Sequence, residues 1–574
     1  MILTGAIIAA LLLLILIQEN RRRKQDKEQN RKRIREEYGE KPAPLPVRGE
    51  QVKIEKAFRE DDMWLDDITW NDLDMDAVMR RIDYTRSSAG HEVLYHMLRK
   101  PMDQVEELQR REALIEKLQQ EETQRTELSV LMSEIGSTGK YALSDYMNPL
   151  EKASPGSMKK HILLDLMYLP GIGLLFFYPM AGLCYLFVLI LVCIVDYFKE
   201  KAKVNAYLVS FAYLLRMLRH AEKIGKADLP AMEKEQQIIA DAGKKLAGLS
   251  QFSGLAMSMH NPVGSSNPVT VLMEYLNMLF HFNLMKLSSM FRIVKKEKGT
   301  IEEMVHAIGY LDACISIAYY RASLEQYCVP KWQLGKPERI QEKEQEEVQE
   351  KKQSGKLEGT ALYHPLLENP VKNDLFMDKN ILLTGSNASG KSTFLKTMGI
   401  CVIFAQTICT CNAGQFSAPL MRVMSSMTLR DDLQSGDSYY VAEIKAMKRI
   451  MDACRDDRYM VFCLVDEGLR GTNTIERIAA SSRILKSLAL PNVLCMAATH
   501  DIELTEILEP YFDNYHFQET IEEEDVKFSY ELQKGKATSR NAIKLLQVMG
   551  YDKEVVREAE DMAAHFLQTG EWKE

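Results

Sequence analysis

The chain has 574 residues, 46% hydrophobic and 27% charged, with a formal net charge of −8 and a pI near 5.9. This length accommodates several domains with ample core, and the balance excludes both a disordered chain and an all-membrane transporter. The acidic net charge argues against wholesale coating of nucleic acid while leaving room for a local basic groove.

No residue from 2 to 17 is charged, and Arg21, Arg22, Arg23 and Lys24 follow closely. Positive charge after rather than before the apolar stretch predicts an uncleaved transmembrane anchor over 1–18, with the N-terminus outside and the basic side in the cytoplasm. Residues 19–60 are expected to be a charged linker whose arginines and lysines would rest favourably on anionic headgroups. Helical periodicity then begins, with Val78, Ile82, Leu94 and Leu98 on apolar stripes, so 61–158 is expected to be the first part of an all-α core.

A second apolar block, 162–198, has no charge between Asp165 and Asp196. Lys159 and Lys160 precede it and Lys199, Lys201 and Lys203 follow, so both ends prefer the cytoplasm. A transmembrane helical hairpin over 159–200, turning near Tyr178-Pro179-Met180-Ala181-Gly182, satisfies that bias. A re-entrant element and a buried soluble core are the alternatives. Residues 201–335 read as the second helical part, a core or lever region, and 336–358 as a second charged linker.

From residue 359 short apolar strands alternate with helices, which predicts an α/β domain over 359–535 and a closing segment over 536–574. Gly385-Ser386-Asn387-Ala388-Ser389-Gly390-Lys391-Ser392 fits G-x-x-x-x-G-K-[ST] in full, between the strand NILLTG and the helix KSTFLKTMGICVIFAQ. Backbone N–H groups of such a loop curl around phosphate oxygens, Lys391 carries charge to the β- and γ-phosphates, and the Ser392 hydroxyl suits Mg²⁺. Thr393 completes this set. The strand YMVFCLVDEG ends in Asp466, a second Mg²⁺ ligand, and Glu467, placed to act as general base on the attacking water. A third strand, NVLCMAATH, ends in His500, which could contact the γ-phosphate or that water. ATP and Mg²⁺ are therefore the expected cofactors.

These motifs resemble the MutS family of DNA mismatch-repair proteins, a branch of the ABC-type P-loop ATPases. The P-loop carries that family's Asn387, DEGLRGTNT (466–474) is close to its extended Walker B, and THDIEL (499–504) resembles its third motif. DDLQSGDSYYVAEI (431–444) is similar to a loop that in relatives reaches the partner's nucleotide, which nominates Ser438 as a trans contact. The C-terminal FSYELQKGKATSRNAIKLLQVMGYDKEVVREAEDMA resembles the family's strand and helix-turn-helix used in dimer formation. Asp83, Thr85, Gly90, Leu94, Leu98, Pro101 and Arg110 fall on the pattern of its helical core.

The resemblance covers 70–135 and 204–570; the mismatch-reading domain has no counterpart, and Pro370 stands where relatives place an aromatic under the adenine. It implies a homodimeric ATP hydrolase with Glu467 and His500 catalytic, while the apolar blocks and their flanking charges put the chain at the cell membrane with the ATPase domain expected in the cytoplasm. The expected role couples ATP to DNA binding, as in mismatch repair or DNA processing, with Lys286, Arg292, Lys295, Lys296 and Lys298 as the candidate DNA surface. The alternative is a membrane mechanochemical or scaffold ATPase that acts on a protein partner without DNA.

Overall fold

The computed structural model describes residues 18, 21–22, 24–42, 63–138, 158–250, 275–333, 355–386, 389–427, 439–469, 472–522, 525–537, 543, 546 and 550–572. The apolar N-terminal stretch expected to be an anchor, most of the second charged linker, and Asn387, Ala388 and Ser438 lie outside these residues. The chain divides into two compact units, one of residues 1–54, 82–96 and 113–323, the other of 55–81, 97–112 and 324–574.

The first unit is helical. Its helix Lys298–Ala322 is buried along most of its length, including Ile308, Leu311, Ile315 and Tyr319. Asp312 on that helix is fully buried and accepts hydrogen bonds from Arg86 N (3.1 Å), Ser87 N (2.8 Å) and Ser87 Oγ (2.6 Å). It thus satisfies backbone donors that the start of helix Ser88–Arg99 would otherwise leave orphaned. Two glycines let the backbones touch: a Cβ on Gly90 would lie 2.2 Å from Asp312 Oδ2, and one on Gly309 2.6 Å from Ala89 O. Beside them Asp83 accepts from Thr85 Oγ1 and bonds His91 Nδ1 at 2.6 Å. Burial pulls the Asp83 carboxyl upward, but His91 and Thr85 outweigh it and hold the group below its ordinary range.

The segment expected to be a charged linker is helical over 24–36. Ile34 is fully buried, Tyr319 Oη donates to its carbonyl (2.9 Å), and Lys27 pairs with Glu134 (2.9 Å) and Arg31 with Glu127. Its single buried aliphatic residue explains why hydrophobic periodicity gives no sign of this helix.

The second apolar block forms helices Met158–Leu166, Tyr168–Phe177 and the 47-residue Pro179–Gly225. The chain turns at Tyr178, and Pro179 opens the long helix where a missing N–H costs nothing. A Cβ on Gly182 would meet Leu175 N at 2.6 Å, and one on Gly171 would meet Leu186 Cδ2 at 2.6 Å. Small residues thus allow the two arms to close on each other, as at helix–helix contacts inside membranes. Met158–Phe177 and Pro179–Lys203 are long and apolar enough to cross a membrane, by length and composition. Their apolar side chains face outward: Phe176 is 83% exposed, Met180 75% and Phe187 64%.

The second unit is built on two sheets from strands β1 (Lys331–Gln333), β2 (Leu357–Leu362), β3 (Asn373–Met377), β4 (Asn380–Thr384), β5 (Gln415–Pro419), β6 (Met421–Ser426), β7 (Met460–Asp466), β8 (Val493–Ala498), β9 (Phe512–Glu522) and β10 (Asp525–Lys534). The smaller sheet has order β1-β5-β2-β3 and the larger β10-β9-β4-β8-β7-β6. In the larger sheet β9, β4, β8, β7 and β6 pair in parallel and β10 closes one edge antiparallel. Every residue of β4, β7 and β8 is buried, which is why they read as continuous apolar runs rather than alternating ones.

The β6 edge is covered by helix Asp67–Asp72, which the sequence pattern assigns to the helical core. Buried Asp72 accepts from Ser425 Oγ (2.6 Å) and Met427 N (3.0 Å), and Thr69 Oγ1 accepts from Ser425 N (3.1 Å). Asp66, which caps this helix, also pairs with Arg449. Covering a strand edge in this way removes a template for non-native pairing.

Candidate nucleotide-binding site

The site is assembled at the C-terminal ends of three neighbouring strands, β4, β8 and β7, which is where open parallel sheets place ligands. After β4 comes the P-loop, after β7 Asp466 and Glu467, and after β8 His500. Residues far apart in the chain meet because those strands are adjacent.

Gly385 and Gly390 adopt φ of +146° and +106°, backbone geometry that favours glycine. A Cβ on Gly385 would fall 2.8 Å from Ser389 Oγ, and one on Gly390 3.2 Å from Tyr530 Cδ1, so neither side of the loop has room for a larger residue. Lys391 opens the buried helix Lys391–Thr407. Its Nζ donates to the carbonyls of Gly385 and Ser386, both at 2.8 Å, and lies 3.5 Å from His500 Nε2. Ser386 lines the cavity, Ser389 is buried, and Ser392 and Thr393 are exposed toward the opening.

His500 Nε2 contacts Glu467 Oε1, so Lys391 Nζ and the Glu467 carboxylate both converge on this one ring nitrogen, which serves Glu467 as donor or Lys391 as acceptor. Glu467 holds φ at +50°, uncommon for a residue with a side chain, while its N–H donates to Ala498 O at 2.9 Å. Such strain costs of order 1–3 kcal/mol and persists where the surrounding structure enforces it. The start of the next helix is fixed as well: Asn473 caps helix Thr474–Ser487 by accepting from Glu476 N, and Arg477 binds both oxygens of Asp501, beside His500.

A cavity of about 540 Å³ opens above the P-loop, lined among others by Tyr363, His364, Pro370, Ser392, Glu467 and Tyr530. That volume suits a nucleotide-sized ligand. Burial lowers the His364 pKa to about 4, helped by the charge of Lys396, so the ring is neutral near pH 7. Tyr530 is the residue that sequence reasoning misses. It sits at φ +55° within a register break of the β9–β10 pair, between Phe528 and Leu532. Asn373 pins this irregularity, donating to Tyr530 O (3.0 Å) and accepting from Leu532 N (2.7 Å). No local pattern in the sequence announces such a bulge.

The residues fit a nucleoside triphosphate with Mg²⁺. Ser389 Oγ is buried with no hydrogen-bond partner among the described residues. Ser392 and Asp466 contribute a hydroxyl and a carboxylate, the hard oxygen donors Mg²⁺ prefers.

Comparison with known proteins agrees with this geometry. The family model of MutS domain V matches residues 381–567. The chain is 27% identical over 277 residues to the DNA mismatch repair protein MutS of Thermotoga petrophila, covering 46% of this chain and 32% of that protein. To MutS protein homolog 4 of Homo sapiens it is 27% identical over 224 residues, covering 36% and 24% respectively. To the MutS of Pseudothermotoga lettingae it is 31% identical over 210 residues, covering 35% and 26%. In each case the match spans about a third or less of the relative's own length. With its P-loop, Walker B and His500 strands laid side by side in parallel, the stretch 381–567 is similar to MutS domain V, a P-loop ATPase-type domain.

Proposed function

We propose that this protein is a membrane-anchored ATPase that hydrolyses ATP in a site completed by a second copy of the chain, and that the cycle is coupled to DNA. The observation that carries the reading is the convergence of Lys391, His500 and Glu467 at the mouth of a nucleotide-sized cavity. Lys391 is held by the Gly385 and Ser386 carbonyls and is positioned to exchange them for phosphate oxygens. Glu467 accepts the proton of the attacking water, and His500 holds its carboxylate toward the cavity. Ser392 and Asp466 would hold Mg²⁺, which neutralises charge on the phosphates. Tyr530 and Pro370 offer the faces against which an adenine would lie.

Dimerisation is supported by the helix Lys553–Thr569, where Val555 and Met562 remain exposed; Ser438 of one chain would complete the other's site. Membrane anchoring is supported by the outward-facing apolar side chains of Met158–Phe177 and Pro179–Lys203, too many for a water-facing surface. The expected topology keeps residues 159–200 as a hairpin, with domains at 359–535 and 536–574 in the cytoplasm. DNA binding is supported by the names of the relatives and by the exposed Lys286, Arg292 and Lys295; Lys296 and Lys298 instead face Glu297 and Glu302. The exposed hairpin also favours the second reading, a mechanochemical or scaffold ATPase that works on a membrane protein partner.

The test is ATP turnover by the full chain in lipid nanodiscs, with plain, mismatched and branched DNA across a salt series. DNA stimulation that fades as salt rises supports coupling to DNA. Turnover indifferent to every DNA at low salt removes that part and leaves the protein-partner reading.

A further inference from the structure

We propose that His161, Asp196 and His281 form a binding site for a divalent transition-metal cation of the zinc class, separate from the nucleotide site. His161 lies near the start of the first apolar helix, Asp196 near the end of the membrane-length part of the long one, and His281 immediately precedes helix Phe282–Lys296. One ligand atom from each lies within 4.8 Å of the others. His161 Nδ1 is 3.6 Å and His281 Nε2 3.9 Å from Asp196 Oδ2. Bonds of about 2.0–2.2 Å in a tetrahedral array would put such atoms roughly 3.3–3.6 Å apart, so the two His–Asp gaps need to close by no more than a few tenths of an ångström, the two histidine nitrogens, within 4.8 Å of each other, draw together around the ion, and water takes the fourth position.

The second observation concerns the atoms themselves. His161 Nδ1, His281 Nε2 and Asp196 Oδ2 are all buried with no hydrogen-bond partner among the described residues. His161 is 1% and His281 0% exposed. A buried polar atom without a partner costs about 1–3 kcal/mol, and three that converge on one point have a common explanation in a shared ion.

The surrounding groups fit that use. Asp165 Oδ1 lies 3.4 Å from His281 Nδ1 and so keeps the proton there and the Nε2 lone pair toward the cluster, the carboxylate–imidazole support typical of metal sites. Lys160 takes the other oxygen of Asp196 and also approaches Glu200, leaving Oδ2 for the ion. The imidazole rings lie 5.1 Å apart and 20° from parallel. His281 adopts the left-handed conformation, φ +46°, which turns its ring inward rather than continuing the helix. Two imidazoles and one carboxylate select Zn²⁺ and its first-row neighbours over Mg²⁺ or Ca²⁺. An ion there would staple both ends of the apolar hairpin to helix Phe282–Lys296.

The experiment uses the full chain in detergent micelles, stripped with chelator and reloaded with Zn²⁺ or Co²⁺. The expected result is one Zn²⁺ retained per chain through gel filtration, and a visible absorption band for Co²⁺ in a low-symmetry nitrogen–oxygen site. His281→Ala and Asp196→Asn each abolish retention, Asp165→Asn weakens binding about 10–100-fold, and Glu467→Gln leaves the stoichiometry unchanged. Because a buried variant can misfold, the wild type is also melted in a Zn²⁺ titration, where a concentration-dependent rise in Tm is expected. A wild type that retains none of Zn²⁺, Co²⁺, Ni²⁺, Mn²⁺ or Fe²⁺ and shows no shift in Tm overturns the proposal. So does retention that survives both His281→Ala and Asp196→Asn.

Discussion

The helical unit and the α/β unit bury polar groups in opposite ways. In the first, Asp312 and Asp83 are consumed by fixed hydrogen bonds from Ser87, Arg86, Thr85 and His91, so their polarity locks helices in place. In the second, polar side chains collect at strand ends around an open cavity, with Glu467 in a strained backbone conformation. The contrast teaches where substitutions act: in one unit on stability, in the other on chemistry.

The sharpest way to break that contrast is in the P-loop. Lys391→Ala is expected to abolish measurable ATP binding in filter or calorimetric assays while leaving the circular-dichroism melt in place. A bound nucleotide in that variant, or its unfolding, would erase the distinction. The reciprocal change is Gly90→Ala, which drives a Cβ to within 2.2 Å of Asp312. Overpacking of this kind costs about 1–3 kcal/mol, read as a lower Tm with ATP turnover per folded molecule preserved.

A smaller effect is expected at Tyr530. If its ring carries the base, Tyr530→Ala raises KM for ATP about 10-fold with the melt unchanged, in line with stacking worth roughly 1–3 kcal/mol. Tyr530→Phe should restore KM; an unchanged KM in Tyr530→Ala would take the residue out of the site.

A further contrast is a pair of pH slopes of opposite sign. Burial pushes the Asp312 carboxyl up to about 6 despite Ser87's hydrogen bonds. The folded state therefore binds that proton more tightly than the unfolded chain, and the contribution grows as pH falls from above 6 toward 4. His364 is lowered to about 4 by burial and by Lys396. Its contribution is present above about 6.5 and lost as pH falls toward 4. Between pH 7 and 4, the Tm difference between wild type and Asp312→Asn should shift in favour of wild type, and that between wild type and His364→Gln against it. Equal slopes for the two would contradict the assignment.

Sequence reading reached the site where chemistry demands contiguous residues. Gly385, Asp466, Glu467 and His500 sit at or just past the ends of apolar runs, Gly390 and Lys391 follow within the same short loop as Gly385, and the structure brings those ends together in adjacent parallel strands. The helix break at Tyr178 was legible for the same reason, since Pro179 marks it locally. What escaped depends on distant partners. Tyr530 reaches the cavity through a bulge held by Asn373, 157 residues away. The helix over 24–36 docks through Ile34 and a few ion pairs, and Asp72 finds its role only against β6. The His161–Asp196–His281 cluster likewise draws on three segments that no spacing rule connects.

The central claim, that Glu467 is the base of an ATP-hydrolysing site, is tested most directly by Glu467→Gln in single-turnover hydrolysis with Mg²⁺-ATP. The account predicts that the variant binds ATP as the wild type does and hydrolyses it at least about 100-fold more slowly. Hydrolysis at the parental rate would contradict it.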